Sequence, residues 1–186
     1  AVLNGGMAVP LSDHAFEALR DDVRIRLDAF IEQAQRLGIV GAEARLFEGS
    51  THDGLLLQSR YADLIVVSQP DPNDRFGVEH GLPQTLALGG TRPVLVVPPA
   101  YDGAPIGSNV LIGWDGSMPA QRAICAALPL LARAGSVTLG LINPERQSEL
   151  HGDEPGADMA LYLARHGVKV NVVVAHTRAR ESDALI

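Results

Sequence analysis

The sequence contains one cysteine, Cys125, so no disulfide can close within the chain and a reducing, cytoplasmic setting is expected. Aromatic residues make up only 4% against 46% hydrophobic residues overall, so the core is expected to be aliphatic. No apolar run approaches the roughly 20 residues that span a bilayer, and the opening residues lack the basic start of a signal peptide, which argues against a membrane segment. Basic residues are in the minority, 15 Lys and Arg against 22 Asp and Glu. The resulting net charge of −7 argues against a nucleic-acid partner, which would require a basic face. Catalytic signatures are missing as well: there is no G-x-S-x-G elbow and no Walker A loop. The six histidines (14, 52, 80, 151, 166 and 176) show no metal-ligand spacing and read as surface or loop residues. Ser50-Thr51-His52-Asp53 joins nucleophile, base and acid types, yet helix capping accounts for them. Cys125, between Ile124 and Ala126, reads as a small packed residue, and His151 to Glu154 as a solvated loop.

What is present is a pattern of short apolar runs and amphipathic stretches. Phe16, Leu19, Val23, Leu27, Phe30, Ile31, Ala34 and Leu37 recur at helical spacing, with Gly38 as the stop. Ala42 to Phe47 alternates and is expected to form a strand. A short helix from Asp53 to Arg60 precedes Leu64-Ile65-Val66-Val67, a β-branched run too short for a helix and so a central strand. A rigid loop, a short helix from Leu82 to Leu88 and an edge strand bounded by Pro93 and Pro98 follow. Residues 99–108 break the composition and read as a linker. Next come a strand at Val110, a helix from Met118 that Pro129 is expected to kink because it cannot donate to the Cys125 carbonyl, and a strand from Ser136 to Ile142. A polar loop from Asn143 to Pro155, a helix from Ala157 to His166 and a strand from Val168 to Ala175 complete the pattern.

Two stretches match: Arg36-Leu37-Gly38-Ile39 parallels Arg165-His166-Gly167-Val168, each ending a helix before a strand. The expectation is two similar α/β units. The first (1–98) lacks its beginning and the second (109–186) its end, with a linker at 99–108 between them. Either the chain is a piece of a longer protein, which is the reading preferred, or the halves complement one another. In the second case the Val110 strand would lie against the Leu64 strand in one permuted sheet.

Strand, Asp-Gly turn and helix at Asn109 to Ser117 form the opening unit of a parallel sheet, where ligands sit outside the strands' carboxyl ends. Two readings of Asp115, Gly116 and Ser117 compete there: a ligand-binding turn, or ordinary turn and N-cap chemistry. With Val110-Leu-Ile-Gly-Trp-Asp-Gly-Ser117, Ala62-Asp-Leu-Ile-Val-Val67 and Arg92-Pro-Val-Leu-Val-Val97 taken together, the chain resembles the universal stress protein family, in its tandem-domain form. The resemblance implies an open α/β parallel sheet of the adenine-nucleotide alpha-hydrolase-like kind, order 3-2-1-4-5, with helices on both faces. It also implies pairing through the fifth strand, here Pro93 to Pro98, and in some members ATP or AMP binding. Carried over to this chain, that site is Asp115, with Gly113, Trp114 and Ile142 lining the pocket. The family's Gly-x2-Gly-x9-Gly-Ser/Thr phosphate loop has no complete counterpart. Ser68-Gln69-Pro70-Asp71-Pro72 occupies its place in the first half, and Gly77, Gly81 and Gly90-Thr91 are wrongly spaced. No catalytic residue and no metal ligand is assigned.

The function expected is therefore a non-enzymatic, universal-stress-type protein with ATP or AMP at the second half-site, self-associating through its edge strand. Two alternatives stand beside it. One is a nucleotide-hydrolysing or adenylating enzyme of similar fold; the chain lacks that class's His-x-Gly-His and Ser-Gly-Gly-x-Asp signatures. The other is a ligand-free domain-pairing module.

Overall fold

A computed structural model describes residues 13–70, 81–151, 153–180 and 183. Contacts divide the chain into two compact units, Ala1–Gln58 and Ser59–Ile186. The Leu64 and Pro93 runs pair with each other, and both fall within the second unit.

The first unit is built on helix α1 (Asp13–Arg36), whose charged face carries Asp22–Arg26 and Glu32–Arg36 ion pairs at i,i+4 spacing, 2.8 and 3.0 Å. Gly38 ends it at φ +73, and the Ile39 amide bonds back to the Ala34 carbonyl at 2.9 Å, a Schellman closure. Arg20 of α1 reaches Glu48 as an ion pair. The Ala42 to Phe47 stretch, expected as a strand, is irregular: among the described residues it has no ladder partner, so alternation alone does not hold it extended in a sheet. It ends with the Phe47 ring laid on Gly54 of α2 (Thr51–Ser59), where a Cβ would come within 2.5 Å of the ring.

The second unit holds two parallel sheets. In the smaller, β1 (Ile65–Ser68) pairs with β2 (Val94–Val97), and α3 (Leu82–Gly89) packs against β2 with Leu82 and Leu86 buried. Residues 71–80, including Asp71, Pro72 and Gly77 of the loop considered above, lie outside the described residues. In the larger sheet the order is β3 (Asn109–Gly113), β4 (Ser136–Ile142), β5 (Asn171–Ala175). Helices α4 (Met118–Leu131) and α6 (Ala157–Arg165) supply Ile124, Leu131, Met159 and Leu163 to a core closed on the sheet by Ile112, Val137, Leu139 and Leu141. The opposite sheet face carries Leu111 and Val173, both exposed. Helix α4 runs on through Pro129, and α6 ends at Gly167 with the same closure as α1: Val168 amide to Leu163 carbonyl, 3.0 Å. Matched residues in sequence thus make matched helix ends.

The architecture is α/β with open parallel sheets, as expected, though no ladder joins β3 to β1 among the described residues. A single permuted sheet within one chain is therefore not the arrangement adopted. Two further corrections concern local structure. The polar loop from Asn143 to Pro155 contains a 3-10 turn (Pro144–Gln147) and a short helix, α5 (Ser148–His151). Cys125 is exposed rather than packed, its thiol 3.3 Å from the Tyr162 hydroxyl.

Leu139 and Leu141, fully buried on the central strand, carry this core. Leu139→Ala is expected to cost about 2–5 kcal/mol through lost transfer energy and the cavity left behind. Urea denaturation monitored by circular dichroism measures it.

Candidate functional site

The carboxyl ends of β3, β4 and β5 meet at one end of the larger sheet. Gly113 ends β3 opposite Gly140, and the Trp114 amide extends the ladder by one bond to the Gly140 carbonyl, 2.9 Å. The Trp114 ring is partly buried against the core. Asp115 then turns the chain: its Oδ1 accepts from the Ser117 amide at 2.9 Å, and the Ser117 hydroxyl oxygen accepts from the Ala120 amide at 3.3 Å to cap α4. Partial burial raises the Asp115 carboxyl, but hydrogen bonds from the Ser117 side chain and backbone, with the field of His151, outweigh it and hold the group below its ordinary 3.8. Between them Gly116 adopts φ +77, with Leu150 of α5 so close that a Cβ would lie 2.8 Å from the leucine Cβ.

Ile142 ends β4 beside Ala175, half-buried. The structure thus places Gly113, Trp114 and Asp115 contiguously at one strand exit and Ile142 at the neighbouring exit. Their local geometry also supports the turn-and-cap reading of Asp115 and Ser117, since both side chains hold backbone amides.

Sequence reasoning missed the residue after Ile142. Asn143 is buried with φ 48, the left-handed region, which asparagine tolerates better than most residues. Its amide nitrogen donates to the Ala175 carbonyl at 2.9 Å. Its side chain donates to the Thr177 carbonyl at 3.1 Å and accepts from the Thr177 amide at 2.9 Å. This double clamp prolongs the β4–β5 pairing past the end of the sheet. The next residue after β5, His176, approaches Glu145 of the 3-10 turn at 3.3 Å. A backbone hydrogen bond, followed by the His176 contact, holds the Glu145 carboxyl below the usual range. A cleft of about 340 Å³ opens here, lined by Pro144, Glu145, Ser148, His151, Val174 and His176, and by none of the four expected residues. The cue in the sequence was a polar residue directly after each apolar run, Asn143 and His176. Among the described residues no cluster of His, Cys, Asp and Glu could hold a metal ion, and no helix is long and apolar enough to cross a membrane.

This arrangement of strands has a solved counterpart. The chain shares its fold with a universal stress protein. That protein's crystal structure, from Archaeoglobus fulgidus DSM 4304, superposes with a TM-score of 0.61 at 15% sequence identity. The match covers 91% of this chain and 63% of that one, so the chain spans less than two thirds of its structural neighbour. No protein-family model matches the chain, and no curated protein sequence matches it. At this identity the likeness speaks for the fold alone.

The Asn143 clamp is separable from its backbone strain. Asn143→Gly removes the two side-chain bonds but suits φ 48, and is expected to cost about 1–3 kcal/mol. Asn143→Ala loses the same bonds and strains the backbone as well, so its unfolding midpoint in urea should fall below that of the glycine variant.

Proposed function

We propose that this chain is a universal-stress-type binding module that takes an adenine nucleotide, ATP or AMP, at the exits of β3 and β4 and acts without turning it over. The observation that carries the reading is Asp115. It is an exposed carboxylate held ionised at the carboxyl end of a parallel strand, in a fold shared with a universal stress protein. Gly113, Trp114 and Ile142 stand with it as the residues that would meet the base and ribose. With Ser68 to Pro72 in place of a glycine-rich loop, little in the chain favours a triphosphate over a monophosphate.

A second reading, a ligand-free pairing module associating through Pro93 to Pro98, is favoured by Leu150, which lies close against Gly116, the residue after Asp115. The outer edge of β2 is apolar, with Val96 exposed, and would need cover.

Calorimetry separates the two. Asp115→Asn retains an oxygen to accept from Ser117 and loses only the charge. AMP is expected to bind the parent chain and to bind this variant about tenfold more weakly. Absence of AMP and ATP binding to the parent would leave the pairing module standing. The same variant reports on acid stability. Because folding lowers the Asp115 pKa, its contribution is fully present above the ordinary carboxyl range and disappears as pH falls through the lowered value. Melting temperatures of Asp115→Asn should therefore change less than those of the parent between neutral pH and pH values below that range.

A further inference from the structure

The cleft at the β4 and β5 exits follows from where α6 starts. Gly156, the residue before α6, sits so low on the sheet that a Cβ there would lie 2.9 Å from Leu141 and 3.2 Å from Val172. Alternation along β5 puts Val174 on the same face as Val172, one step beyond the cover of α6. It is left 43% exposed, and His176 follows it past the end of the strand. The turn after Asn143 and helix α5 bring the other lining residues, Pro144, Glu145, Ser148 and His151. Pro155, just ahead of α6, joins them. Every wall therefore comes from residues 144–176 of the second unit.

These walls divide by chemistry. Pro144, Pro155 and Val174 are apolar, and the volume of about 340 Å³ falls at the lower end of small-molecule sites, roughly 300–1,000 Å³. The charge is on Glu145. Nδ1 of His176 stands 3.3 Å from both of its carboxylate oxygens, a long contact shared between two acceptors rather than one short bond. Each oxygen therefore keeps lone pairs for a stronger donor. A backbone hydrogen bond, then His176, holds the carboxyl below its usual range, so it is ionised at neutral pH. His151 adds a second unspent group. Its Nδ1 is buried and has no hydrogen-bond partner among the described residues, a state proteins ordinarily avoid unless water or a ligand supplies one.

We infer that this cleft binds a small organic amine, its ammonium group donating to Glu145 and its apolar body lying against Pro144, Pro155 and Val174. A carboxylate with lone pairs to spare selects a cation that carries several N–H donors. A carboxylate or phosphate ligand would meet Glu145 as a like charge. A neutral apolar ligand would leave the Glu145 oxygens unused. None of Gly113, Trp114, Asp115 and Ile142 lines the cleft, and the inference does not rest on the nucleotide reading.

Benzylamine, benzyl alcohol and benzoate carry the same ring with a positive, a neutral and a negative head. Each is titrated into the isotope-labelled full chain and followed by two-dimensional amide NMR. Benzylamine is expected to shift the Glu145, Ser148, His151 and His176 amides saturably, in the millimolar range that so few atoms allow. The alcohol and benzoate should bind about tenfold more weakly or worse, for want of the charge-assisted bond. Glu145→Gln keeps the side chain's shape at an exposed turn and should bring benzylamine down to the level of the alcohol. Equal binding of all three probes, a preference for benzoate, no shift with benzylamine, or undiminished binding to a folded Glu145→Gln would each overturn the proposal. The comparison of probes on the parent chain needs no variant, so it decides the matter even if Glu145→Gln loses its fold. AMP in the same titration separates the two sites. Shifts from AMP at these four amides with none from benzylamine would give the cleft to the nucleotide and overturn the proposal. AMP that shifts nothing, beside benzylamine that shifts these amides, would support this site and count against the Asp115 reading alone.

Discussion

The backbone pairing of β4 on both sides is the constraint on which the second unit depends. β4 satisfies its amides and carbonyls through β3 and β5, and this fixes the register that sets Val137, Leu139 and Leu141 on one face. Helices α4 and α6 cover that face, so apolar burial and hydrogen bonding reinforce each other at the same strand. The smaller sheet has no such centre. Among the described residues β1 and β2 each pair on one side only, and their side chains are largely half-buried or exposed.

The same register decides where chemistry can gather. Because the three strands run parallel, their exits lie together, and the polar residues that follow them meet at one end of the sheet. Asp115, Asn143, Glu145 and His176 arrive there from three different strand exits. Two of them are already committed to structure: Asn143 clamps Thr177, and Asp115 holds the turn into α4. A residue that shapes a strand exit and one that meets a ligand there can be the same residue, since both uses need an acceptor at the end of the ladder.

Much of the fold was legible in the sequence. The runs at Leu64, Pro93, Val110, Ser136 and Val168 became strands, and the helices from Asp13, Met118 and Ala157 fell where the periodicity put them. The matching glycines at 38 and 167 closed their helices in the same way, because left-handed backbone is cheapest at glycine. The Ala42 stretch departed from its alternating pattern because a strand exists only through a neighbour, which a local pattern does not supply. Asn143 was hidden inside what read as a polar loop, since its role depends on Thr177, 34 positions away.

The sequence by itself determined an aliphatic α/β chain with its helix stops, its strand-forming runs and a turn at Asp115, because these follow from propensity and from residues close together in the chain. The tertiary structure alone decided which strands pair and what stands beside Asp115. Those outcomes depend on hydrogen bonds and apolar contacts between segments far apart in sequence, and no local pattern encodes the partner.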